Sequence, residues 1–199
     1  MIAAWRGSAQ RRVVVAVLLV MAVFSLLPRQ AVSANKPNSL SEQQVKAAFL
    51  FNFIKFIEWP AGAFPDKNSP IVIGIIGDDP VGRGLEQYLQ NKSIGGRELV
   101  MRQIEWPGEI RGVHILLLCA SEAKAASAIL ACLKGTSVLT VGETDRFGKQ
   151  GGIINFYIEE NKVRFEINID AAGQARLKIS SQLLSLAKII HEDPHTGRM

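Results

Sequence analysis

The sequence predicts a single three-layer α/β/α domain with a mixed sheet and a C-terminal antiparallel hairpin. Three observations predict it. The runs IVIGIIG (Ile71 to Gly77) and HILLLC (His114 to Cys119) are short, apolar and without polar alternation, as expected of strands buried on both faces. Segments with helical spacing separate the strands, and alternating strands and helices give layered α/β domains. The last third, GGIINFYIEENKVRFEINID, reads as two strands around a tight polar turn near Glu160 and Asn161.

The chain opens with Arg6, Arg11 and Arg12, followed by a 15-residue apolar run from Val13 to Leu27 that Pro28 ends. Small residues follow at Ser33 and Ala34. This pattern predicts a signal peptide over residues 1–34 with cleavage after Ala34 and export. The run is shorter than the roughly 20 residues a spanning helix needs, so no stable membrane insertion is expected after cleavage. Residues 35–41 read as a flexible leader, 42–191 as the domain, and 192–199 as a loose tail.

Within the domain, Ser41 is the expected N-cap of a first helix, with Gln44 at capping-box distance. That helix is expected to run to about Glu58, because Pro60 disfavours a helical predecessor. The loop GDDPVGRG follows the first buried strand, and a short helix is expected from Gly84 to Gln90. ELVMRQIE alternates like a half-buried strand. SEAKAASAILACLKG is read as one helix capped by Ser121 and stopped at Gly135. SVLTVGE is a further strand. On the second hairpin strand Val163, Phe165, Ile167 and Ile169 face one side, and Arg164, Glu166, Asn168 and Asp170 the other. Asp170 is the expected cap of the short helix AAGQARL, and a final helix is expected from about Ser181 to His191.

The full chain has 23 basic and 18 acidic side chains, a formal charge of +5. Arg6, Arg11, Arg12 and Arg29 belong to the signal, which contains no acidic residue. Removing four basic charges leaves 19 against 18, or +1. The domain therefore lacks the basic excess of a nucleic-acid binder, and no nucleic-acid partner is expected.

Side chains capable of chemistry are sparse. His114, His191 and His195 have no second His or Cys at ligand spacing, so no metal site is expected and His114 is read as structural. Cys119 and Cys132 are the two cysteines, and an oxidising compartment permits a disulfide between them. The alternative is two buried thiols packed as small hydrophobes. Ser121 follows a strand, as nucleophiles do in α/β enzymes, but its role as a helix cap explains it. Asp78 and Asp79 lie in a glycine loop without a Gly-Lys-Ser/Thr ending, and two carboxylates repel a phosphate, so the loop reads as a turn. No catalytic residue and no cofactor are assigned. The candidate small-ligand pocket is the polar cluster of Glu166, Asn168, Lys178 and Ser180, joined by Asn155 and Tyr157 from the neighbouring strand. A solvated hairpin face is the competing account.

The segment KAAFLFNFIKFIEWP, from Lys46 to Pro60, holds five of the chain's fourteen aromatic residues. On a helical wheel of about 100° per residue, Val45, Phe49, Phe53 and Phe56 form a stripe, and Phe51 lies nearly opposite with Lys55 and Glu58. Such a helix needs two covers, one of them the sheet and the other a second helix, another subunit or a partner protein; burial entirely within its own domain is the competing account. Phe51, Lys55, Glu58 and Trp59 are the expected partner or dimer contact, since Trp anchors interfaces.

Five blocks taken in order resemble the YfiR family: KAAFLFNFIKFIEWP, IGIIGDDPVGRGLE, SVLTVGE, GGIINFYIEENKVRFEINID and LKISSQLLSLAKII. The resemblance covers about residues 42 to 190. It implies a periplasmic, non-enzymatic regulator that restrains an inner-membrane diguanylate cyclase by binding its periplasmic domain, lowering cyclic di-GMP and biofilm formation. Related domains also occur with sensor kinases, so a sensor kinase is the alternative partner, and a ligand-sensing module the alternative function. A homodimer is expected. Some members of the family bear two cysteine pairs, whereas this chain has only Cys119 and Cys132. No catalytic residues carry over.

Overall fold

The structure, a computed structural model, describes residues 41–78, 85–86, 88–89, 92–106 and 110–191. The expected signal peptide, the leader before Ser41, Asp79, His195 and the tail 192–199 lie outside them.

Ser41 caps the first helix, α1 (Glu42–Lys55), as its hydroxyl accepts from the Gln44 amide while the Gln44 side chain accepts from the Ser41 amide. This reciprocal pair is the capping box the sequence predicts. The helix ends earlier than expected. Phe56 is its C-cap, and Ile57–Glu58 form a short strand, β1, paired antiparallel with β9 (Lys178–Ile179). The Phe56 carbonyl accepts from the Ser180 amide at 2.9 Å. Pairing with a distant segment thus takes over where the helix would otherwise have continued, on the approach to Pro60.

The main sheet has eight strands: β2 (Ile71–Ile76), β3 (Ser93–Ile94), β4 (Arg97–Ile104), β5 (Ile115–Leu118), β6 (Leu139–Gly142), β7 (Ile154–Glu159), β8 (Lys162–Asn168) and β10 (Lys188–Ile190). Their order is β10-β8-β7-β6-β5-β2-β4-β3. The run from β4 through β7 is parallel, β7 and β8 form the antiparallel hairpin, and β3 joins β4 antiparallel. At the hairpin turn Glu160 and Asn161 have φ of 49° and 58°, the paired positive values of a two-residue turn.

The strands alternate between two cores. Ile71, Ile73, Ile75, Ile115 and Leu117 face α1 with Leu85 and Leu89, two helical residues. Ile76, Leu116 and Leu118 face Ile129 and Leu130 of α2 (Ala126–Cys132). Two covered faces make the continuous apolar strands intelligible and give the three-layer α/β/α arrangement. Phe147, fully buried, lies against Gly142 and Gly152, where an added Cβ would come within 2.7 Å and 2.2 Å of its ring.

Three further expectations need correcting. The segment read as one helix from Ser121 splits into a 3₁₀ turn (Ala120–Glu122) and α2, which begins without a side-chain cap. Ser121 is instead tied to the loop after β2: its Oγ accepts from the Asp78 amide at 3.2 Å. Asn168, not Asp170, caps α3 (Ile169–Gln174), accepting from the amides of Asp170 and Ala171. Finally, α4 (Ser181–Leu184) lasts one turn, and Lys188–Ile190 run as β10 parallel to β8 rather than as helix. The β-branched pair Ile189–Ile190 suits an edge strand, and Lys188 stands opposite Glu166 with its Nζ 3.9 Å from the carboxylate.

Candidate functional site

The buried face of α1 differs from the expected stripe. Ala47, Leu50, Phe51, Phe53 and Ile54 are buried, whereas Val45, Phe49 and Phe56 are only half-buried. On a wheel of about 100° per residue the buried positions span roughly 160°, centred near Leu50 and Ile54. Phe53 packs against Phe165 and Phe156 of the hairpin, with centroids 5.0 and 5.6 Å apart.

Phe51, expected as an exposed contact, is only 9 % exposed. Its second cover comes from its own chain. Tyr88 meets it edge-on at 5.7 Å, and the ammonium groups of Lys55 and Lys92 lie 4.3 and 4.9 Å from its ring centre. Lys92 also sits 3.2 Å from the Tyr88 centroid. Tyr88 and Lys55 are exposed, so the outer surface here is a cationic and aromatic patch resting on Phe51. Glu58 is exposed on β1, and Trp59 is half-buried edge-on to Phe64 at 6.1 Å.

Phe64 links this end to His114. Their rings stack at 4.3 Å and 11°, and the Arg97 guanidinium lies 3.9 Å from the Phe64 centroid. Arg97 also donates to the carbonyls of Asp66 and Ser69. His114 is buried, its Nδ1 accepting from the Val72 amide and its Nε2 3.1 Å from the Ala63 carbonyl. An acceptor at Nδ1 and a donor at Nε2 define the neutral imidazole. Burial pushes its pKa below the ordinary value, the Arg97 charge adds to this, and the Ala63 hydrogen bond opposes it. His114 is structural, as its isolation in the sequence suggests.

Of the four proposed ligand residues, Asn168 and Ser180 cap helices. Asn168 is fully buried, with its amide nitrogen donating to the Gly148 carbonyl at 2.7 Å and its oxygen capping α3. Both ends of that amide are engaged within the fold. Ser180 caps α4, accepting from the Leu183 amide. Lys178 lies on β9 opposite Glu58. Glu166 accepts from Asn155 at 3.3 Å and faces Lys188, whose Nζ is 5.9 Å from the Tyr157 centroid.

The cysteines are not joined by a disulfide. Cys119 is buried at the end of β5, while Cys132 is exposed at the end of α2, so the alternative of two buried thiols holds for Cys119 alone.

One polar cluster escaped the sequence reading. Lys46, though on α1, is buried and paired with Glu143 after β6 and, at 2.7 Å, with Glu42. Burial disfavours its charge, but the hydrogen bonds and Coulombic attraction of the two carboxylates outweigh that and raise its pKa. The i, i+4 spacing to Glu42 is visible in the sequence, but Glu143 lies 97 residues away and leaves no local signal.

In an open parallel sheet, ligands bind outside the carboxyl ends of the strands where the order reverses. Here that point lies between β2 and β5, because the chain goes from β2 to β4 on one side and then to β5 on the other. Gly77 comes close to the start of the next connection there. Gly77 has φ of 99°, and a Cβ there would lie 2.5 Å from Ser121 Oγ and 2.9 Å from Cys119 Cβ. Ser121, read in the sequence as a helix cap, instead helps fasten the two loops together.

The fold is a single mixed α/β domain with an aromatic, cationic patch at one end of α1. The YfiR/HmsC-like family model matches residues 43–188, and the chain belongs to that family. Membership implies a periplasmic regulator of diguanylate cyclase signalling, in a family that is regulatory rather than catalytic. No curated protein matches. Among solved structures, a conserved domain protein from Vibrio cholerae O1 biovar El Tor strain N16961 is similar, with a TM-score of 0.51 and 12 % identity. The match covers 78 % of this chain and 62 % of that one, and at that identity it bears on the fold alone. Among the described residues no helix is long and apolar enough to cross a membrane.

Proposed function

We propose that this protein is an exported repressor that binds the periplasmic domain of an inner-membrane diguanylate cyclase and holds the enzyme in its inactive state. The family match over residues 43–188 carries this reading. Binding that favours one conformation of the cyclase shifts its equilibrium by the difference in affinity for the two states. The proposed contact is Lys55, Glu58 and Trp59 with Tyr88, while Phe51 supports the patch from below. A homodimer through the same end of α1 belongs to this proposal. The test is cyclic di-GMP measured in the native host with and without the gene. Loss of the protein is expected to raise cyclic di-GMP and biofilm several-fold, with restoration on re-expression. Unchanged cyclic di-GMP would exclude the cyclase and leave a sensor kinase as the partner to examine.

A further inference from the structure

A cleft of about 690 Å³ lies where the chain enters β5 and β6. Its floor is apolar: Val113 and Val138 are buried, and Trp106 and Leu133 are half-buried. Its cationic groups are Arg111 and Arg176, both exposed. No acidic side chain lines it among the described residues. His114 also contributes to the wall, but its ring nitrogens are engaged as an acceptor and a donor, so it adds no charge. Arg176 is lightly held, with Nη2 3.4 Å from the Gly135 carbonyl. The volume is in the range of about 300–1,000 Å³ typical of small-molecule sites, which are mostly apolar with a few polar groups that orient the ligand.

We propose that this cleft binds an amphipathic monoanion, a medium-chain alkyl carboxylate whose chain lies on the Trp106, Leu133 and Val138 floor and whose head meets Arg111 and Arg176. Guanidinium groups pair with carboxylates through strong, directional hydrogen bonds, so charge selects the ligand and the floor selects its length. Cys132 lines the same cleft and is exposed, whereas Cys119 is buried. The molecule therefore carries its own accessibility probe. The inference does not rest on the cyclase reading and is tested on the isolated protein.

The experiment follows alkylation of Cys132 by N-ethylmaleimide with decanoate, below its micelle concentration, and with decylammonium as the control. Cys132→Ser identifies the labelled site. Decanoate is expected to slow labelling about tenfold at saturation, with decylammonium leaving it near the free rate. The Arg111→Gln/Arg176→Gln double variant is expected to raise the half-protecting decanoate concentration at least tenfold, and Arg176→Lys to raise it far less. Equal protection by both amphiphiles, or none by either, overturns the proposal. That comparison needs only the unaltered protein, so it stands even where the double variant fails to fold.

Discussion

His114 shows how one side chain couples the fold to pH. Its Nδ1 accepts from the Val72 amide, so a proton there would set two donors against each other. Its folded pKa lies below the ordinary value of 6.5. The unfolded chain then binds the proton first as pH falls. The stabilisation is therefore complete above about pH 6.5 and is lost as pH drops towards the folded value. Thermal melts from pH 7.5 to 5 should show a fall in Tm that is steeper for the unaltered protein than for His114→Gln. Equal slopes would mean that carboxylates elsewhere govern acid stability. The chemistry of His114 was legible in the sequence as the absence of a ligand partner. The Lys46–Glu143 pair was not, because only the folded sheet brings those residues together.

At the scale of elements, α1 is the clearest case of a pattern read correctly in kind and wrongly in phase. Its need for two covers follows from the breadth of apolar positions, and the structure supplies both. The sheet hairpin covers Phe53, and Tyr88 with Lys55 and Lys92 covers Phe51. The wheel could not say which cover was internal, since Tyr88 is 37 positions away. Phe51→Ala should destabilise the protein by about 3 kcal/mol, the usual cost of deleting a buried aromatic ring. Lys55→Glu, which loses the cation–π contact with Phe51 and a favourable charge in the last turn of α1, should destabilise by only about 1 kcal/mol. Urea unfolding measures both, and a near-neutral Phe51→Ala would return that side chain to the surface. Helix ends were less legible than helix bodies. β1 and β10 are short strands whose pairing partners lie far away in sequence, and local propensity does not name those partners.

The whole molecule is layered as its apolar runs demand. Strands such as β2 and β5 have no polar face, so both sides must be covered, and that much follows from composition. Strand order does not, because neighbours are chosen by pairing across the chain. At the point of strand reversal, where such folds commonly place chemistry, Gly77 approaches Cys119 and Ser121 closely. Of the residues read as a contact in the sequence, Lys55 and Glu58 are exposed, Trp59 is half-buried and Phe51 lies beneath, while Tyr88 comes beside them only through the fold. Direct binding tests this account most sharply. The purified protein is titrated against the periplasmic domain of a membrane diguanylate cyclase from the same host, with Lys55→Glu alongside. The account predicts a saturable complex, weakened about tenfold or more by Lys55→Glu, a loss of about 1.4 kcal/mol at an exposed charge in the contact. No binding up to about 100 µM, where even an interaction of about 5.5 kcal/mol would register, would contradict it.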